Sequence, residues 1–158
     1  MADRKYQKND LKRKFKTYSE ASALLPEDKK FLEKFFSQQY SEEEWNHAAH
    51  IRLAFCCLKI WPHPKVAEVV KEGILALNKS HGIVESPMRG YHETLTQAWI
   101  RIVMAAPDCQ TATSFSGFMI KNKDLTNSSY ILKYYSKEYL KSPQARQSFI
   151  NPDKMPLP

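Results

Sequence analysis

Hydrophobic positions recur along most of this chain at the three-and-four spacing of an α-helix. Phe31, Leu32, Phe35 and Phe36 make one side of a segment that follows Pro26 and carries acids in its first turn, which predicts a helix over about 27–39. Ser41 stands three residues before Glu44, a capping-box pattern, and His47, His50, Ile51, Ala54, Leu58 and Trp61 then share one side up to Trp61-Pro62-His63-Pro64. That predicts a second helix of roughly 20 residues, about 30 Å long. Pro64 suits the first turn of a third, with Val66, Val69, Val70, Ile74, Leu75 and Leu77 inward and Gly82 as its C-cap. Ser86-Pro87 reads as the start of a fourth that runs to Ala106.

Beyond Pro107 the elements shorten. Residues 111–121 give a weaker helical pattern containing Phe115, Phe118, Met119 and Ile120. Ser128 or Ser129 should cap a helix from Tyr130 to Leu140, and Ser142-Pro143 should open a last short one to about Ile150. No segment alternates with period two, and no internal repeat is present, so the pattern predicts an all-α fold. Short connections between successive helices favour a compact up-down helical bundle with shorter C-terminal helices.

Length and charge divide the chain further. Its 158 residues suit one domain, expected at 21–150, between a leader at 1–20 and an extended tail at 151–158. The net charge is +7, and residues 1–16 hold seven basic side chains against Asp3 and Asp10. Five of the seven net charges thus sit in a polar leader expected to be flexible and to lack an apolar face. The remainder is nearly balanced, and Tyr130, Tyr134, Tyr135 and Tyr139 are spaced for core packing, so a nucleic-acid partner is not expected. No apolar run reaches the length of a membrane span and no signal-like segment opens the chain, which makes a cytoplasmic protein without a membrane partner the expectation. Cys56, Cys57 and Cys109 form no CxxC pair; the first two read as small core residues.

The chemistry is concentrated in histidines. His47 and His50 begin the inward stripe of the second helix, and His92 lies in line with Leu95, Trp99, Ile102 and Val103 on the fourth. Were those helices to start at the same end of a bundle, the three imidazoles would lie at similar depths. Buried imidazoles need partners, and three converging ones suit an open three-histidine site for one divalent metal, with water or substrate as the fourth ligand. Zinc would give hydrolysis, hydration or elimination of a small polar or anionic substrate; iron or copper would give oxygen chemistry. Glu44, Glu93, Tyr91 and Arg52 are the candidate catalytic companions: Glu44 as general base or mere cap, Glu93 as support to His92, Tyr91 as a hydroxyl, Arg52 as a counter-charge. The competing account is a non-enzymatic helical module that binds a ligand or a protein, its histidines being internal hydrogen-bonders. His63 and His81 fall at helix ends and should be exposed. The HExxH and HxxEH motifs of zinc proteases are absent.

The aromatic-x-His-x-x-His run at 45–50, Tyr-His-Glu-Thr-Leu-Thr at 91–96 with Trp99, Tyr134-Tyr135-Ser136, Ser142-Pro143-Gln144-Ala145-Arg146 and Asn151-Pro152-Asp153 together resemble a family of small helical proteins. The resemblance covers about residues 30 to 157 and leaves the basic leader outside. It implies that positions 47, 50 and 92 belong to one constellation, and it carries no activity.

Overall fold

The computed structural model describes residues 8–19 and 23–158, and over these the protein is all-α. The longer helices are α1 (Lys8–Ser19), α2 (Pro26–Phe36), α3 (His47–Ile60), α4 (His63–Ser80) and α5 (Glu93–Ala105). Shorter ones follow: α6 (Phe115–Lys121), 3-10 turns at Lys123–Thr126 and Ser128–Lys133, α7 (Lys137–Leu140) and α8 (Pro143–Gln147). The middle of the molecule is α3, which touches α2, α4, α5, α6 and the first 3-10 turn. Its run Leu53-Ala54-Phe55-Cys56-Cys57 is buried almost all round, as befits a central helix. Both cysteines are indeed small core residues.

The leader departs from expectation over its described part. Leu11 and Phe15, four residues apart, form a narrow apolar stripe on α1 that packs against α2, with Phe15 5.4 Å from the ring of Phe36. Two apolar side chains among many cations were too few to register as a face, yet both are buried. Residues 1–7 and 20–22 lie outside the described residues.

Two helix starts also differ from the sequence reading, and both bear on the histidines. Ser41 and Glu44 do exchange the reciprocal bonds of a capping box, Glu44 N–H to Ser41 Oγ at 3.2 Å and Ser41 N–H to Glu44 Oε2 at 2.9 Å. They close an isolated turn, however, and the chain is extended again at Asn46, whose side chain caps α3 by accepting from Ala49 N–H at 3.1 Å. The second predicted helix is therefore shorter by a turn and begins at His47. Likewise α5 begins at Glu93. The stretch before it is a loop in which Ser86 and Arg89 pair backbone to backbone and Gly90 takes a φ of 95°, a left-handed value a side chain would oppose. Gly82, at φ 71°, follows α4 as the residue that lets the chain turn out of the helix, while Ile83 N–H bonds back to Asn78 O.

The predicted helix over Tyr130–Leu140 is split. Ser136 is extended and caps α7, and its N–H and hydroxyl both donate to the Asp153 carboxylate from the C-terminal segment. Buried Tyr135 donates its hydroxyl to Ile150 O at 2.8 Å. The tail at 151–158 is non-helical as expected, and these bonds, with Lys154 N–H to Tyr134 O, tie its first residues to the body.

Candidate functional site

Among the five histidines, three act as staples between segments far apart in sequence. His47 Nε2 lies 2.8 Å from Leu125 O, His92 Nε2 2.8 Å from Leu140 O and His81 Nε2 2.7 Å from Tyr40 O. A carbonyl only accepts, so in each case the ring donates an Nε2–H. For His92 the other nitrogen is occupied too: Nδ1 accepts Leu95 N–H at 3.2 Å, making this imidazole the N-cap of α5. The sequence placed His92 inside a helix; it stands instead at the boundary, one ring holding a helix start to the end of α7. Burial lowers its pKa, which keeps the neutral, single-tautomer form that both bonds require. His81 is half-buried through its bond to Tyr40 rather than exposed as expected, and His63 is exposed.

His50 is the exception. One turn along α3 from His47, it is half-buried and has no hydrogen-bond partner among the described residues. Burial, with a smaller contribution from His47, lowers its pKa to about 4, so the ring is neutral at pH 7. Its neighbour Trp45, 4.7 Å away ring to ring, is fixed by stacking on Phe35 at 4.8 Å, and its buried Nε1–H also lacks a partner among the described residues. A buried N–H without a partner is uncommon in folded proteins, and its position beside an unbonded, half-buried imidazole calls for a reason.

Both residues line a cleft of about 370 Å³ between α3, α4, the start of α5, the 83–92 loop and α8. Trp45, Ile74, Ile83 and Leu95 supply apolar surface; His50, Asn78, Thr96, Arg89 and Arg146 supply polar groups. The loop that forms one wall is held from two sides. Glu85 accepts from Tyr91 N–H at 2.6 Å and from Asn78 Nδ2 at 2.8 Å, and Arg146 donates to Gly90 O at 2.8 Å.

The candidate residues from the sequence thus part company. His50, Tyr91 and His92 share the cleft. Tyr91 is buried, its hydroxyl bonded toward Thr96 and Glu93, and burial chiefly raises its pKa well above the ordinary value. Glu93 sits beside it in an ion pair with Lys71 at 2.8 Å and accepts from Gln97 at 2.6 Å; burial opposes ionisation, but these bonds prevail and its pKa is lowered. Glu44 lies outside the cleft, exposed, with Lys34 at 2.6 Å and Ser41 lowering its pKa to about 2. The capping role is the one its bonds fill. Arg52 is engaged with fully buried Asp28 and is likewise outside the cleft.

Among the described residues no three His, Cys, Asp or Glu side chains are placed to hold one metal ion. The three-histidine centre expected from the sequence finds no such grouping, since His92 has both nitrogens engaged and His47 directs Nε2 at a carbonyl. Arg89, Arg146, Asn78 and Glu85 were missed. Their only signal in the sequence is indirect, a glycine at 90 that permits a shaped loop and the place of Arg146 in the Ser-Pro-Gln-Ala-Arg run. Comparison of the chain with protein-family models, with curated proteins and with solved structures finds no match. The likeness noted above therefore stands on its motifs alone.

Proposed function

We propose that this protein is a helical module that binds a small molecule, polar at one end and apolar in its body, in the cleft beside His50. The observation that carries this reading is the His50 ring, which lines the cleft without a hydrogen bond among the described residues, in a molecule whose other half-buried histidines are all bonded; the neighbouring Trp45 indole N–H is buried and also without a partner among them. A cleft of about 370 Å³ falls in the usual range for small-ligand sites, and its mixture of apolar wall and a few convergent polar groups is the usual composition. Binding is favoured over proton transfer because an imidazole with a pKa near 4 is a weak base at neutral pH.

The test is a panel of small aromatic and aliphatic fragments titrated into isotope-labelled, untagged protein. The reading expects amide and indole shifts clustered at Trp45, Ile74 and Leu95, abolished when Leu95→Trp fills the cleft in a protein that still folds. Fragments that bind elsewhere, or none that bind, would remove it. Elemental analysis of the same sample addresses the metal-dependent enzyme expected from the sequence: near-stoichiometric zinc, iron or copper, lost in His47→Ala, would return the function to a metal centre.

A further inference from the structure

We infer that the ligand of this cleft is a monocarboxylate on a compact apolar body, an inference that rests on the cleft being a binding site at all. Two guanidinium groups line it, Arg89 from the loop and Arg146 from α8, and among the described residues no carboxylate does. Neither arginine enters a salt bridge among the described residues. Of the acids closest in the chain to the lining residues, Glu93 is neutralised by Lys71, while Glu85 is held by the Tyr91 N–H and Asn78 and keeps its negative charge. Two guanidinium groups against one carboxylate leave an excess of one positive charge at a concave, partly apolar site, which attracts a monoanion more strongly than the same charge in open water.

The shape of the positive end narrows the class. Arg146 gives one N–H to Gly90 O, which orients the guanidinium without exhausting its five donors, and a planar carboxylate matches the fork of such a group. A phosphate dianion would ask for more: among the described residues no lysine lines the cleft, and one of the two arginines is partly committed to the loop. At the other end Trp45, Ile74, Ile83 and Leu95 offer apolar contact, and the volume corresponds to about a dozen water-sized groups. That is room for a ring or a branched chain bearing one acid group. Asn78 and Thr96 lie on the same walls and can serve a further polar atom of the ligand.

Matched probes separate charge from shape. Benzoate, benzamide and phenyl phosphate are each titrated at fixed ionic strength, with heat and amide shifts as readouts. Benzoate is expected to bind about tenfold more tightly than benzamide, the advantage of a charge-assisted bond over a neutral one. That advantage should shrink toward parity in an Arg89→Gln, Arg146→Gln double variant. Since Arg146 also holds the loop, Arg89→Gln alone, at an exposed side chain, provides a second reading in a protein whose fold is not in question, with a partial loss expected. Equal binding of benzoate and benzamide in the cleft overturns the carboxylate class and leaves the cleft as a site. Tighter binding of phenyl phosphate overturns it in favour of phosphate esters. Silence from all three probes overturns it together with the reading of the cleft as a site.

Discussion

Two residues apart on α3, Arg52 and His50 enter two polar neighbourhoods that look alike in sequence and differ in completeness. At the first, Asp28 is wholly buried, yet each of its oxygens is matched: Oδ1 takes Arg52 Nε at 2.9 Å and Nη2 at 2.8 Å, and Oδ2 takes Phe115 N–H at 2.8 Å. Arg52 adds a bond to Glu27 O and lies over the Phe31 ring at 4.7 Å. At the second, the His50 ring and the Trp45 N–H have no such partners among the described residues, and Arg89 and Arg146 form no ion pair with them. The satisfied cluster holds α2, α3 and α6 together; the less satisfied one lines the cleft proposed above as a binding site. Completeness of hydrogen bonding, more than residue type, tells structure from site.

The sharpest way to break this contrast is to make the first neighbourhood incomplete. Asp28→Ala strands the partly buried Arg52 charge and the Phe115 N–H, and should lower unfolding free energy by about 3–5 kcal/mol in urea titrations. A loss under 1 kcal/mol would mean the cluster is not structural. Next in size, His92→Ala removes both the cap of α5 and the bond to Leu140, and should cost about 2 kcal/mol. Metal-chelator treatment of the native protein should leave its stability unchanged; a loss matching that of the variant would point to a metal at His92 instead.

His50 should instead reveal itself through pH. Its folded pKa, about 4, lies below the roughly 6.5 of an unfolded chain, so between those values the unfolded state binds more protons. Stability should therefore fall as pH drops from about 6.5 to about 4 and flatten below. In His50→Leu that slope should be smaller, though His92, whose pKa is also lowered by burial, contributes in the same direction. An unchanged slope would show that the ring is not desolvated. The least effect belongs to Glu44→Gln: the Lys34 pair is exposed at the surface, and the unfolding midpoint should not move measurably.

How much of this the sequence made legible depends on range. Periodicity located the cores of α2, α3, α4 and α5, since Phe35, Ile51, Val66 and Val103 each fall on a regular apolar stripe and are buried. It overran the starts of α3 and α5, because the Ser41 box and Ser86-Pro87 are credible starts whose helices are pre-empted by Asn46 and His92. Nothing local says that His47 will meet a carbonyl at position 125, or that Asp153 will interrupt a helix at Ser136. Those partners are tens of residues away or in loops. The inward direction of the three histidines was readable; that two would be occupied by backbone and one left open was not, since that depends on where loops without periodicity come to rest.

These imidazoles are unequal, and long-range proton–nitrogen NMR of the histidine rings reports that inequality directly. His47 and His92 should each show a fixed Nε2–H tautomer that survives titration with benzoate and, separately, with zinc ions, while the ring nitrogens of His50 shift most with benzoate. Joint loss of the Nε2–H signals of His47 and His92 on adding zinc, with His50 following at the same stoichiometry, would contradict it.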